Sequence, residues 1–325
     1  MSSNQIKIIF ASLIVVLAII LSQSLESLKT VKILIGANQW IGYESLHLSD
    51  QRGELESHNF QVMEFKNASY LIKAFERNLI DVAALTIDEA IILSQNVDDL
   101  VIIFALDVSS GGDAIVTLNE KLDIKDLRNH RVGVEEYAVG HYLLSRAAEL
   151  NQIDLKEINI VPLTIDRHLE AIKNDKVDFL CTFNPVVEEV VNHGGKIVFN
   201  SKNIPNEIVD VLVVRRSLLN QNEKKFQSLI SILMDKMERL AQRQPAIINE
   251  VANRNGVDTR TVIKQLEDIS IPIGKENLNV LNRLKESVLN RVTRYLVFSG
   301  RFKKERLNLD VDVTVLENGL MMRHQ

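Results

Sequence analysis

The stretch DVSSGGDAIV, residues 107–116, sets two carboxylates around a Ser-Ser-Gly-Gly turn, directly after the apolar run VIIFAL. Gly111 and Gly112 can take backbone angles closed to other residues and let a ligand or a second backbone approach closely. The same pair also suits a plain bend between strands. Two further polar clusters stand where apolar runs give way to helical patterns. Thr86-Ile87-Asp88-Glu89 fits a capping box, the Thr86 hydroxyl covering a backbone N–H and Glu89 reaching back. Asn184-Pro185 offers an N-cap with proline at the first helical position. Helix starts of this kind carry free N–H groups, and open α/β sheets bind ligands beyond the carboxyl ends of their strands. Recognition of a small polar molecule is therefore the chemistry these residues suit. No nucleophile and base stand at a recognised catalytic spacing. The single cysteine, Cys181, excludes cysteine-dependent metal sites, and His47, His58, His130, His141, His168, His193 and His324 fall at no metal-ligand spacing. The sequence leads us to expect no catalytic residue, no metal and no cofactor.

These clusters need elements to hold them. Short β-type runs alternate with helical periodicity after Thr30: VKILIG (31–36), FQVMEF (60–65), DVAALT (81–86), VIIFAL (101–106), RVGVE (131–135), INIVPL (158–163), VDFLCT (177–182) and VDVLVV (209–214). Apolar on both faces and spaced by helices, they predict an α/β fold with parallel sheets covered on both sides. From about Leu218 only helices are expected, over 219–242, 245–254, 258–267 and 277–298, with Gly256 and Gly300 placed as C-terminal caps. One internal echo stands out. AFERNLIDVAALTIDEA (74–90) and AIKNDKVDFLCTFNPVV (171–187) share an apolar-Asp-apolar strand start, then Thr, an apolar residue and Asp or Asn. A single repeat at that distance is too long for a solenoid period and implies two similar α/β lobes.

The chain has 325 residues, long enough for two domains, with 46% hydrophobic and 25% charged residues, an ordinary globular balance. A net charge of -5 and 5% aromatic residues supply neither a basic field nor stacking platforms, so nucleic acid is not an expected partner. Residues 8–21, IIFASLIVVLAIIL, form an apolar run behind Lys7, and Ser22 and Ser24 are small residues suited to cleavage after Ser24. Residues 1–24 therefore read as a secretory signal peptide, with an uncleaved membrane anchor as the rival. Without a cysteine after that run there is no lipid attachment point, and the protein is expected to be periplasmic, either free or tethered by its N-terminal segment.

Six blocks carry a resemblance: WIGYESLHLS (40–49), DVAALTIDEAI (81–91), DVSSGGDAIV (107–116), DLRNHRVGVEEYAVGHYLL (126–144), VDFLCTFNPV (177–186) and NIPNEIVDVLVVRR (203–216). In this order they resemble the nitrate/sulfonate/taurine-type substrate-binding proteins of ABC importers, over residues 31 to 305 and including RYLVFSGRF (294–302). The resemblance implies a type II periplasmic-binding-protein fold, two-lobed, with the helical C-terminal region packed on the first lobe. Residues 31–112 and 213–305 would form lobe 1, 113–212 lobe 2, and 306–325 a tail, with crossovers around 111–117 and 204–212. The implied ligand wall comprises Trp40 and Tyr43 beside Gly42, Thr86 and Asp88, Asp107, Ser109, Gly112 and Asp113, then Glu135, Tyr137, Gly140, Asn184 and Asp210.

Sulfonate and nitrate binders want Arg, Lys or bare helix N-termini, yet this wall carries Asp88, Asp107, Asp113 and Glu135 with no basic residue in the same blocks. Unpaired buried carboxylates are costly, so a cationic or nitrogenous ligand such as an amine is favoured, with sulfonate or nitrate and a pyrimidine as alternatives. The resemblance implies delivery to an ABC permease. A ligand sensor partnered with a membrane-bound signalling protein is a second reading. A third is an enzyme like the thiamine-pyrimidine synthases of the same superfamily, whose chemistry looks tied to a cysteine-rich iron site that Cys181 alone cannot provide.

Overall fold

The computed structural model describes residues 32–303 and 307–322, and residues 1–24, expected to be a signal peptide or anchor, lie outside them. In chain order, β1 (Ile33–Ala37) passes through a 3-10 turn (Ile41–Tyr43) into α1 (Glu44–Gln51), followed by β2 (Phe60–Glu64), α2 (Ala68–Glu76), β3 (Val82–Thr86), α3 (Ile87–Leu93) and β4 (Leu100–Ser109). Then come β5 (Asp113–Thr117), β6 (Arg131–Val134), α4 (Val139–Leu150), β7 (Asn159–Pro162), α5 (Ile165–Lys173), β8 (Phe179–Phe183), α6 (Val186–Asn192) and β9 (Lys196–Asn200). The remainder comprises β10 (Val209–Arg215), α7 (Arg216–Gln221), α8 (Glu223–Ala241), α9 (Pro245–Asn255), α10 (Thr259–Glu267), β11 (Ile269–Ser270), α11 (Lys275–Arg283), α12 (Leu289–Phe298), β12 (Leu309–Val311) and α13 (Thr314–Met322).

The strands form two sheets, hence two α/β lobes. The first runs β11-β4-β10-β3-β1-β2 with β12 also paired to β4, and the second runs β7-β6-β8-β5-β9. β1 is parallel to β2 and β3, and β6 to β7 and β8. The expectation of wholly parallel sheets needs correction, because β10 is antiparallel to β3 and β4, and β5 to β8 and β9. The two-residue β11 also runs antiparallel to β4, while β10 and β5 are the strands that arrive from the other lobe. They enter without a helical crossover in their own sheet, so the rule that makes βαβ strands parallel does not bind them. Apolar runs report burial on both faces and carry no information on direction.

The echo has a structural meaning. Asp81, just before β3, accepts from Leu34 N–H on β1 at 2.9 Å and donates its own N–H to Leu34 O. Asp178, just before β8, makes the same pair of contacts with Arg131 on β6, its carboxylate accepting from Arg131 N–H at 2.9 Å. In each lobe one aspartate thus fixes the register of the central strand against its parallel neighbour.

The chain crosses between sheets at Ser110–Gly112, where Gly111 has φ +123°, a region that favours glycine. It returns through 201–208. The two crossings are stitched together: Ser109 N–H donates to Ile208 O at 3.0 Å and Gly111 N–H to Ser201 Oγ at 2.6 Å. The return was expected over 204–212 with the lobe boundary at 212/213, but β10 belongs to the first sheet from Val209 onward. Likewise, part of 306–325 is not a tail: β12 pairs in parallel with β4, and α13 packs on α8. The helical region lies on the first lobe. α8 buries Phe226, Leu229, Ile230, Leu233, Met234, Met237 and Leu240, the three-to-four spacing of one helical face, and packs on α1. The buried Asn277 amide of α11 reads the backbone of Ala105 in β4, accepting from its N–H at 3.2 Å and donating to its carbonyl at 2.6 Å.

Candidate functional site

Three adjacent strands of the first sheet present one polar row. Asp210 on β10 is in register with Thr86 on β3 and with Asp107 on β4. Strands otherwise buried on both faces thus end in a hydroxyl and two carboxyls side by side. The turn after β1 covers this row. Asn38 Oδ1 accepts from Trp40 N–H at 2.9 Å, fixing the turn, and Trp40 Nε1 donates to Asp107 Oδ2 at 3.0 Å. The Tyr43 hydroxyl donates to Asp210 Oδ1. Gly42 is obligatory for this approach, since a Cβ there would fall 1.7 Å from Asp107 Oδ2.

The second lobe closes against this turn. The Phe183 ring meets Trp40 edge-on with centroids 5.6 Å apart, and Asp113 is in register with Phe183. A Cβ on Gly112 would lie 2.4 Å from Trp40 Cη2, so glycine is needed where the crossing passes the indole. Glu89 ties the lobes: one oxygen accepts from Thr86 N–H at 3.1 Å and the other from Val139 N–H, at the start of α4, at 3.2 Å. Between the lobes lies a cavity of about 20 Å³, roughly the room of one water molecule, lined by Asn38, Thr86, Glu89, Asp113, Val139 and Asp210 together with Trp40, Tyr43 and Phe183.

The electrostatics are one-sided. Burial pushes Asp107 up to about 8, Asp113 to about 7 and Asp88 to about 6. Glu89 and Asp210 are raised well above the usual carboxylate range, by burial first and then by the neighbouring carboxyls. Among the described residues none of these five forms an ion pair; the nearby Lys202 pairs with Asp268 at 3.7 Å. Asp107 Oδ1 and Asn184 Oδ1 are also buried without a hydrogen-bond partner, whereas the Asp88 carboxyl is backed by the Thr86 hydroxyl and the first N–H groups of α3. Oxygens left bare at that depth cost free energy unless a donor arrives. Among the described residues no three His, Cys, Asp or Glu side chains form a group able to hold a metal ion.

The structure divides the remaining expected residues. Glu135 Oε1 accepts from Ser69 N–H at 3.0 Å and from Ser69 Oγ at 2.7 Å across the lobes, and so serves as a lobe-to-lobe contact. With Tyr137, whose φ is +62°, it lines a second, larger interlobe cavity of about 550 Å³ that also includes Tyr70, Lys73 and Arg167. Asp88 is buried in the first turn of α3 and lines neither cavity. Ser109 is taken by the Ser201 hydroxyl at 2.9 Å and by Asp113 N–H. Gly140 serves helix packing, since a Cβ would meet the Cys181 carbonyl at 2.9 Å. Asn184 is not the N-cap expected: the Asn184-Pro185 bond is cis, α6 starts at Val186, and the Asn184 amide donates to Asp268 Oδ2 at 3.2 Å. A residue before proline is held out of the helical region, which displaces the helix start. Four cavity residues escaped the sequence reading. Glu89 had been given to the capping box, Val139 and Phe183 look like core, and nothing local marks Asn38.

Solved structures with this architecture include the alkanesulfonate-binding protein SsuA from Xanthomonas axonopodis pv. citri bound to MOPS, 16% identical, with a TM-score of 0.74 over 87% of this chain and 99% of that one. The ligand-binding component of an ABC-type import system from Staphylococcus aureus is 15% identical, with a TM-score of 0.73 over 89% and 98%. The periplasmic nitrate-binding protein NrtA from Synechocystis PCC 6803 is 10% identical, with a TM-score of 0.71 over 91% and 88%. At these identities the likeness speaks for the fold. Among curated protein sequences none matches this chain. The sequence profile of the NMT1-like family matches residues 26–255, more than two thirds of the chain, and with the two-lobed architecture around the Trp40–Asp107 turn the chain belongs to the NMT1-like family.

Proposed function

We propose that this protein is an extracytoplasmic solute-binding protein that captures a small cationic, N–H-rich molecule between its lobes and delivers it to an ABC importer. The transport role rests on the fold shared with import-system and sulfonate- and nitrate-binding proteins. The ligand class rests on one observation of this chain: five buried carboxyls surround or back the small cavity without an ion-pair partner among the described residues, and Asp107 Oδ1 is left without a donor. An ammonium or guanidinium group supplies both the charge and the N–H donors that such a wall lacks. A sulfonate or nitrate would instead add negative charge beside Asp113 and Asp210.

A thermal-shift panel of amines, guanidino compounds, sulfonates, nitrate and pyrimidines tests this. A ligand that binds only the folded form raises the midpoint by an amount set by its concentration over its dissociation constant. Amines or guanidino compounds should raise it. A rise with sulfonate or nitrate alone overturns the assignment of ligand class.

A further inference from the structure

Building on the cationic reading above, we infer that the ligand's charge enters in exchange for protons held by the buried carboxyls, so that the site works as a proton-for-cation exchanger. The geometry requires a counter-charge of some kind. Asp107 on β4 faces Trp40 and Tyr43 from the turn after β1, Asp210 from β10 and Asp113 from β5. Asp210 in turn faces Glu89 from α3, and Glu89 faces Asp88 and, from the turn after β6, Glu135. Every charged group in this ring is acidic, and Trp40, Tyr43 and Thr86 are neutral. Full ionisation of such a buried cluster is prohibitive, so empty protein keeps protons on it, as the upward shifts of Asp107, Asp113 and Asp88 indicate. Asp107 Oδ1, fully buried and without a hydrogen-bond donor, is a second, independent sign that a donor belongs there.

The exchange balances simply. A carboxyl O–H gives its proton to solvent, and a cation N–H takes the carboxylate oxygen that Trp40 Nε1 or the Tyr43 hydroxyl leaves free. Because binding favours the ionised form, affinity rises with pH over the interval in which the empty site still holds the proton. The gain is about tenfold per pH unit for each proton released. It levels off near the value of about 8 at which Asp107 ionises without help.

Ammonium and methylammonium chlorides are suitable probes, titrated calorimetrically into the full chain in two buffers of different ionisation enthalpy. The expected result is a midpoint raised by one or both salts, at least one proton released per cation near neutral pH, and loss of the protonated-carboxyl infrared band on binding. Asp107→Asn, which cannot release a proton, should reduce the proton count and flatten the rise with pH. Binding of either cation with no proton release and pH-independent affinity overturns the exchange while leaving the cationic ligand class standing. No midpoint shift with either salt at any pH from about 6 to 9, the span over which these carboxyls change charge, overturns both.

Discussion

Trp40 Nε1 donates to Asp107 Oδ2 at 3.0 Å across 67 residues of sequence, joining the first loop of the chain to the end of the strand from which it leaves the first lobe. The contact depends on two glycines. Gly42 makes room for the Asp107 carboxyl, and Gly112 for the far edge of the indole.

Substitution at these glycines should therefore separate folding from function. In Gly112→Ala the new methyl, 2.4 Å from Trp40 Cη2, must push the indole off Asp107 or hold the lobes apart. Overpacking of this kind costs about 1–3 kcal/mol. The expected outcome is a modest fall in melting midpoint with a loss of ligand affinity of tenfold or more, measured by calorimetry. Unchanged affinity would show that the indole's position is irrelevant to ligand.

Asp107→Asn and Asp113→Asn address the carboxyls directly. With the acidic forms favoured at neutral pH, asparagine imitates the protonated side chain, so the melting midpoint of empty protein should hardly move. Affinity for a cationic ligand should fall by about 2–5 kcal/mol, the range for truncating one side of a buried charge pair. A fall of about 0.5–2 kcal/mol in the stability of empty protein instead would mark a capping role.

The pH profile of empty protein carries its own sign. Asp107 and Asp113 have folded-state values raised above their ordinary ones, to about 8 and about 7, so their stabilising contribution is complete in acid and is lost as pH rises through those values. The buried His47 and His168, pushed down to about 4 by burial, act oppositely. Their contribution is complete above the ordinary histidine range and is lost as pH falls toward 4. Above about pH 7.5 these histidines, and His141 with them, are neutral folded and largely neutral unfolded, so denaturant titrations there should show stability falling as pH rises, by about 1.4 kcal/mol per pH unit for each carboxyl still protonated in the folded form. Saturating cation should flatten this slope, and a rise in the stability of empty protein over that window would contradict the assignment.

Closure about the two crossings should be visible by small-angle scattering, with a smaller radius of gyration at ligand saturation. Two α/β lobes joined by two segments can rotate without repacking either core. Glu135→Ala removes the acceptor of both Ser69 bonds between lobes and should shift the equilibrium toward the open form. The consequence is weaker ligand binding with the acidic cavity untouched. A radius independent of ligand would argue against hinge motion.

A stability test lies in the first lobe, one residue beyond Tyr43. Arg254 Nη1 donates to the fully buried Glu44 at 3.0 Å, and Asn255 Nδ2 donates to the same carboxylate. Arg254→Ala should destabilise the protein by about 3–5 kcal/mol, because it strands a buried acid.

What the sequence determined by itself was local. Apolar runs marked the strands, three-to-four spacing marked α8, the 86–89 cluster marked a helix start, and the 74–90 and 171–187 echo marked two lobes, because burial and capping write themselves into neighbouring residues. Asp107 and Asp113 stood out because small polar turns between apolar runs are conspicuous. Tertiary structure decided the rest. The antiparallel entry of β5 and β10 depends on where the chain arrives from, and a run apolar on both faces is silent about direction. The row Thr86, Asp210 and Asp107 exists only because β3, β10 and β4 lie side by side, although more than 100 residues separate Thr86 from Asp210. Glu135 became a lobe-to-lobe contact and Ser109 a hinge contact because their partners, Ser69 and Ser201, lie far away in sequence. The charge state of the carboxyls lay furthest from the sequence, since it depends on the depth of burial and on having no ion-pair partner among the described residues, and both are properties of the folded chain.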